Sequence, residues 1–333
     1  MMPEEWTGET LLEMARAYQP ASVLLAAAEL DLFGALSNES LTAEELAVAI
    51  QADLRATRVL ADALTSLELL VKRDSFYSLA PGVVETLTGG GSETLLPMLC
   101  HQANCLRSWA QIAATVKTGR PAADEPSIRG TTADQAAFIE AMEVASRHAA
   151  ARVVASLEPL SFTHLLDIGG GPATWTIAFL RAVPEARATI YDLPEVIPLS
   201  HRHIEAAGLG DRVDLVAGDF YTDSALPAGA DLAWVSAIVH QNSREQNRAL
   251  FAKVHSALAR GGQLMVRDIV MDDAHTSPPA GALFAVNMLV RTEAGDTFSF
   301  AELCEDLASV GFGDSILIRG ARDMDSVLRA PKP

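Results

Sequence analysis

Three cysteines in 333 residues, Cys100, Cys105 and Cys304, are too few and too scattered for a disulfide framework or a Cys-x-x-Cys metal clasp. They read as belonging to a reduced, cytoplasmic protein. The eight histidines include no H-E-x-x-H pair, so no metal site is expected. Bases are also scarce: 25 Lys and Arg stand against 43 Asp and Glu, a formal charge of −18. Such a field repels phosphate backbones and anionic lipid surfaces, which argues against nucleic acid as a general partner. No apolar run reaches the roughly 18 residues of a membrane span, so no membrane partner is expected. The acidic start Met1-Met2-Pro3-Glu4-Glu5-Trp6 has neither the basic residues nor the apolar core of a signal peptide. What the chain has in plenty is apolar residues, 49 %, over a length that can form two cored domains.

The densest signal is His164-Leu165-Leu166-Asp167-Ile168-Gly169-Gly170-Gly171-Pro172, an apolar run that stops in three glycines. A helical pattern follows, then a second strand over residues 188–192 that ends in Asp192. This is the layout of a nucleoside-binding βαβ unit. The glycines let backbone approach a ligand with no Cβ in the way, and a carboxylate at the second strand tip is placed for ribose hydroxyls. The third position of a G-x-G-x-x-G turn is Thr174, next to Trp175, which disfavours NAD and FAD. Phosphate-loop chemistry is excluded: there is no G-x-x-x-x-G-K-[ST], and no lysine lies between Gly169 and Asp192. Acidic loops suit a cofactor with an amino-acid end and a positive sulfur.

At this point Asp167-Ile168-Gly169-Gly170-Gly171 resembles the first motif of S-adenosylmethionine (SAM) dependent methyltransferases. Tyr191-Asp192-Leu193-Pro194, Gly218-Asp219-Phe220, Val239-His240-Gln241-Asn242-Ser243 and Ala259-Arg260-Gly261-Gly262 follow in the order seen in small-molecule O-methyltransferases of the caffeic acid, acetylserotonin and hydroxyindole type. The resemblance extends from about residue 10 to 330 and is closest to the bacterial branch. It implies an α/β fold: a Rossmann-like, mostly parallel sheet with an antiparallel C-terminal hairpin, behind an N-terminal helical, winged-helix dimerisation domain.

The pattern along the chain agrees. Residues 10–36 carry helical spacing, Thr42 and Glu45 form a capping box, and a helix is expected over 54–70. Strands over 70–72 and 76–79 flank Arg73-Asp74-Ser75. Helices followed by a hairpin make a winged-helix pattern. Residues 20–88 have only four bases, Arg55, Arg58, Lys72 and Arg73, among a majority of acids, so a DNA-binding regulator is the weaker reading and dimerisation the stronger. Gly89-Gly90-Gly91-Ser92 marks a flexible joint. The division expected is 1–90 for dimerisation, 91–160 for a helical connector roofing the active site, and 161–333 for SAM binding. Strands in the last part are predicted over 164–168, 188–192, 213–217, 230–239, 263–269, 315–319 and 326–328, with helices near 174–183, 195–207 and 243–259.

Within that frame Gly169 and Gly171 would face the methionine part of SAM, or serve only as a tight turn. Asp192 with Leu193 would hold the ribose, or Asp192 would cap the next helix. The resemblance places Asp219 and Phe220 at the adenine and makes Ser236 a further cofactor contact. His240 falls at the carboxyl edge of the sheet. A phenol near pKa 10 needs a base at neutral pH, and an imidazole can take its proton; the bland alternative is a cap for the following helix. The family flanks this base with two acids. Asp268 matches one, while Thr297 stands at the other, and Gln241-Asn242 replaces the usual Asp-Trp. Acceptor contacts are expected from Phe138 and Met142 on one helix and Phe284, Asn287 and Met288 on another, though Met and Phe at helical spacing also read as core. Arg267 and Arg291 would favour a carboxylated acceptor, or pair with acids.

These residues point to a homodimeric, metal-independent SAM-dependent O-methyltransferase acting on a small aromatic hydroxyl. The alternatives are a C-methyltransferase, a SAM-binding hydroxylase or decarboxylase relative, a dehydrogenase, and a ligand-sensing winged-helix regulator.

Overall fold

The structure, a computed structural model, describes residues 5–87, 94–123 and 125–333. The joint expected at Gly89 to Ser92 lies outside the described residues. Two compact units are present, 1–107 with 124–144, and 108–123 with 145–333. Residues 91–160, read above as one connector, are divided between them.

In the first unit, the stretch with helical spacing resolves into α1 (Gly8–Arg16), α2 (Tyr18–Glu29) and α3 (Leu32–Ala35). The first break follows from Pro20, which has no N–H for the Arg16 carbonyl four residues back. The second is made by Asp31, whose φ of 55° is left-handed. α1 buries none of its residues. β1 (Leu41–Thr42) leads into α4 (Ala43–Ala49), capped reciprocally: Thr42 Oγ1 accepts from the Glu45 amide at 3.2 Å, and Glu45 Oε2 accepts from the Thr42 amide at 2.8 Å.

α5 (Leu54–Ser66) stops short of residue 70 because Glu68 turns left-handed, φ 61°, and the Leu69 amide returns to the Leu64 carbonyl. β2 (Leu70–Arg73) and β3 (Phe76–Leu79) form the predicted hairpin, and β1 pairs antiparallel with β3. Leu32, Phe33, Leu46, Leu64 and Tyr77 fill the core beneath it. α6 (Val83–Leu87), α7 (Leu96–Trp109) and the first half of α9 (Thr131–Ser156) complete this part, while α8 (Ile112–Thr118) belongs to the second unit.

The second unit is built on seven strands: β4 (His164–Ile168), β5 (Arg187–Asp192), β6 (Val213–Ala217), β7 (Leu232–Ser236), β8 (Gln263–Asp268), β11 (Ile316–Arg319) and β12 (Ser326–Pro331). Their order is β11-β12-β8-β7-β4-β5-β6, parallel from β8 to β6, with β12 antiparallel to β8 and β11 antiparallel to β12. Alternate residues of β4 enter opposite cores, Leu165 on one face and Leu166 and Ile168 on the other. A sheet covered on both faces needs such near-continuous apolar strands. α10 (Thr174–Ala182), α11 (Ile197–Ala206), α12 (Arg244–Ala257) and α14 (Phe300–Ser309) join the strands, and α13 (Pro279–Arg291) follows a short parallel pair member, β9 (Val270–Met271), whose partner is β10 (Phe298–Ser299).

The strand read over 230–239 is shorter, because Ala237 is left-handed at φ 56° and the chain then makes a single 3-10 turn, Val239–Gln241. β4 is the point where the strand order reverses, with β5 on one side and β7 on the other. Ligands of open α/β sheets bind outside the carboxyl ends at that reversal.

Candidate functional site

After β4 the backbone enters the left-handed region at Gly169, φ 66°, and Gly171, φ 52°. A Cβ at Gly169 would come within 2.5 Å of Ile238 Cδ1, whereas one at Gly171 would meet nothing within 4 Å. Glycine is therefore demanded at the first by packing and conformation and at the second by conformation beside open space. The Gly171 amide donates to Asp192 Oδ2 at 2.7 Å, and Asp192 Oδ1 accepts from the Leu193 amide at 2.7 Å. The glycine turn and the tip of β5 are thus one unit. α11 begins at Ile197 with Val196 in the cap position, so Asp192 does not cap it. Burial raises the Asp192 pKa, and its two backbone donors oppose that rise.

Beneath the turn lies Asp167, 1 % exposed, with Thr176 Oγ1 donating to it at 2.6 Å. Desolvation pushes its pKa up to about 7, and the nearby charge of Asp192 adds to the effect. α11 braces the same turn from outside: Ser200 Oγ donates to the Gly171 carbonyl at 2.6 Å and His203 Nδ1 to that of Pro172 at 2.9 Å. Sequence reasoning missed Thr176, Ser200 and His203; only their helical spacing behind the glycines hinted at them.

The loop after β6 carries Asp219 and Phe220. Asp219 accepts from the Tyr221 amide at 2.8 Å and from Thr222 Oγ1 at 3.1 Å, while Lys253 Nζ donates to the Phe220 carbonyl at 2.8 Å. Phe220 Cε1 stands 4.0 Å from the place a Gly169 Cβ would occupy, which brings the expected adenine and methionine contacts side by side. Ser236, at the end of β7, accepts from Arg267 Nη1 at 3.1 Å.

Arg267 is itself 6 % exposed, donates twice to Asp325 Oδ1 at 3.1 and 2.8 Å, and lies 4.4 Å over the Trp175 ring. Burial lowers its pKa and the Asp325 carboxylate opposes this. Of the two readings of Arg267, pairing with an acid is the one realised. Arg291 Nη1 reaches Ser108 Oγ at 3.5 Å.

Across the sheet edge, His240 sits in the 3-10 turn and is 5 % exposed. Its Nδ1 donates to both oxygens of Asp268, each at 2.9 Å. A carboxylate only accepts, so Nδ1 carries a proton, and in the neutral imidazole Nε2 keeps its lone pair. Asp268, 2 % exposed, also accepts from the Ile269 amide at 2.8 Å. The helix cap proposed as the bland role of His240 is filled by Ser243, whose Oγ accepts from the Gln246 amide.

Phe284 meets the imidazole edge to face, centroids 4.8 Å apart at 87°. On the same helix Asn287 Oδ1 accepts from the Trp109 indole at 2.9 Å, and Met288 is 6 % exposed. Thr297 donates to the Gly281 carbonyl at 3.4 Å. At Gly281 α13 comes so close to the strand below that a Cβ would lie 2.7 Å from Ile269 Cγ2 and closer still to Met271. Phe138 and Met142 belong to the other unit, where Phe138 packs on His101 at 5.2 Å.

The sequence pattern of the O-methyltransferase domain matches residues 115–313, and that of the O-methyltransferase dimerisation domain matches residues 12–83. The chain belongs to the O-methyltransferase family. It is 30% identical to the tetracenomycin polyketide synthesis 8-O-methyltransferase of Streptomyces glaucescens, over 91% of each chain. To the 3-hydroxy-5-methyl-1-naphthoate 3-O-methyltransferase of Streptomyces sahachiroi it is 29% identical, over 93% of this chain and 91% of the relative. Human N-acetylserotonin methyltransferase, solved in complex with SAM, superposes with a TM-score of 0.78 at 25% identity, covering 100% of this chain and 99% of that one.

The protein is a SAM-dependent O-methyltransferase of the small-molecule type. Its residues fit the cofactor: Gly171 opens onto free space, and the largely buried Asp192 carboxylate has lone pairs left over after two backbone donors. Among the described residues no helix is long and apolar enough to cross a membrane.

Proposed function

We propose that this O-methyltransferase deprotonates and methylates a hydroxyl on a small aromatic molecule, with His240 as general base and Asp268 as its orienting partner. The observation that carries this reading is the fixed tautomer of His240: Nδ1 is committed to Asp268, which leaves Nε2 as the basic atom. When bound, SAM supplies an electrophilic methyl carbon on a positive sulfur. Gly169 and Gly171 line its methionine part, Asp192 with Leu193 holds the ribose, Asp219 and Phe220 hold the adenine, and Ser236 is a further contact.

As the acceptor oxygen attacks, its proton passes to His240 Nε2. The Asp268 carboxylate, buried beside the imidazole, stabilises the imidazolium that forms. Phe284 packs against the ring, and with Asn287 and Met288 it forms one wall for a flat acceptor. The naphthoate named as acceptor for the Streptomyces sahachiroi relative supports the aromatic class. The dimerisation-domain match and the exposed apolar residues of α1 support a homodimer.

The test is incubation with SAM and a panel of phenols and naphthols, reading S-adenosylhomocysteine release and the site of the new methyl group by NMR. Methyl attached to oxygen, lost in His240→Ala, supports the reading. Methyl attached to carbon, or activity that survives His240→Ala, overturns it.

A further inference from the structure

Gln241 and Asn242 stand where the family resemblance leads one to expect Asp-Trp, and the two replacements go different ways. Gln241 is exposed and turns back to the Ala237 carbonyl at 3.1 Å. Asn242 is 1 % exposed and lies in the middle of a buried chain of hydrogen bonds. Tyr221 Oη donates to Asn242 Oδ1 at 2.5 Å, Asn242 Nδ2 donates to Asn247 Oδ1 at 3.0 Å, and Asn247 Nδ2 donates to the Val239 carbonyl at 2.9 Å. The direction is dictated by chemistry. A carbonyl only accepts, so Asn247 must turn its nitrogen to Val239 and its oxygen to Asn242, and Asn242 in turn must show its oxygen to the Tyr221 hydroxyl. Every donor along the chain points toward the residue that precedes His240.

The other end of the chain is the loop after β6. The Tyr221 amide holds the Asp219 carboxylate at 2.8 Å, and the Tyr221 ring packs on Phe220 with centroids 4.5 Å apart. Tyr221 thus touches both residues read as adenine contacts. Its hydroxyl is the only link of this chain outside the core: the residue is 51 % exposed, whereas Asn247 is fully buried. Two asparagines at these depths are costly unless each polar atom is paired, and Asn242 Oδ1 has its partner in the Tyr221 hydroxyl.

We propose that Tyr221, acting through Asn242 and Asn247, is a positioning residue that couples cofactor occupancy at Asp219 and Phe220 to the placement of His240. A ligand held by Asp219 and Phe220 bears on the Tyr221 ring between them and the Asn242 amide, and the two amides carry that load to the turn that holds the base. The inference rests on the reading of His240 as base and of Asp219 and Phe220 as adenine contacts.

Tyr221→Phe in the full-length protein removes one oxygen and keeps the ring against Phe220. The readouts are S-adenosylhomocysteine affinity by calorimetry, the ring-nitrogen NMR signals of His240 with and without S-adenosylhomocysteine, and kcat and KM for an active phenol. In the wild type the His240 signals should shift when S-adenosylhomocysteine binds. In Tyr221→Phe the ligand should still bind, the His240 signals should no longer follow it, and kcat should fall about three- to tenfold with acceptor KM unchanged, the fold-change expected for one lost neutral hydrogen bond. His240 signals that follow the ligand in Tyr221→Phe as in the wild type, or an unchanged kcat, overturn the coupling. Because the NMR shift does not depend on catalysis, full activity in His240→Ala would defeat the base assignment while the coupling is judged separately on the His240 signals of Tyr221→Phe.

Discussion

One nitrogen of His240 is shared between the two carboxylate oxygens of Asp268, 2.9 Å from each, at a depth where neither side chain exceeds 7 % exposure. The pair sets the ring's tautomer and its angle together, which is what the proposed role of base requires. His240→Ala is expected to lower turnover by about 10² to 10⁴, the usual worth of general acid-base catalysis, with SAM affinity nearly unchanged. Asp268→Ala should do less damage, since the imidazole remains but loses its orientation. Steady-state kinetics beside calorimetry decides this, and a parallel loss of SAM binding would mean the turn itself had collapsed.

Asp192→Ala should weaken SAM binding by about 1.5 to 3 kcal/mol, the range for hydrogen bonds to a charged group. The fold should persist, because the carboxylate lies at a strand tip and its donors are backbone amides of a turn also braced by Ser200 and His203. Unchanged affinity by calorimetry would refute the ribose assignment.

Asp167 gives the chain a pH-dependent stability. Its folded pKa, about 7, lies well above that of an ordinary carboxyl, near 3.9. Between those values the folded protein keeps a proton that the unfolded chain has released, so this residue subtracts stability as pH rises through the interval. Asp167→Asn cannot ionise and keeps an oxygen for Thr176. Its unfolding free energy relative to wild type, followed by melting temperature and urea titration, should therefore climb from about pH 4 to pH 7, by at most about 4 kcal/mol for a shift of some three units. A gap that stays flat or narrows with pH would count against it.

Asp325→Ala would leave the Arg267 guanidinium buried with its main acidic partner gone. Loss of one member of such a pair is expected to cost about 3 to 5 kcal/mol in urea unfolding. A cost under 1 kcal/mol would mean that Ser236 and the Trp175 ring suffice to hold the charge.

The homodimer is tested on α1, whose Leu11, Leu12 and Met14 are all more than half exposed. Light scattering of the wild type should give twice the chain mass, and Leu11→Glu combined with Met14→Glu should shift it toward the monomer. A dimer indifferent to both charges would place the interface elsewhere.

Strands were the most legible part of the fold. Those at 164–168, 213–217 and 76–79 fall where their residue patterns put them; for 164–168 the reason is that a buried parallel strand is a short apolar run with few ways to be misread. Boundaries failed where backbone conformation outvoted composition: Ala237 and Glu68 adopt left-handed φ without being glycine, so nothing in the residue types announced that a strand or helix ended there. The β9–β10 pair is two residues long and depends on tertiary packing that local pattern does not encode.

In the site, the glycine turn and the Asp192 strand tip were readable from spacing, whereas the pairing of His240 with Asp268 was expected only from the family resemblance, and the structure brings the two together. Thr176, Ser200, Asn242 and Asn247 were not readable, since a buried polar side chain with one partner looks like any surface residue until the partner is known.

The close seat of α13 at Gly281 has an effect one turn along the helix. Because no side chain separates the helix backbone from Ile269 and Met271, the depth of that seat determines how far Phe284 stands from the His240 ring. On the proposed role of Phe284 as a wall for the acceptor, the breadth of ring that fits beside His240 is gauged from the rear of that wall, where α13 rests on the strand. Variation at position 281, or at the two side chains beneath it, would then move Phe284 while the residues proposed to face the acceptor keep their identity.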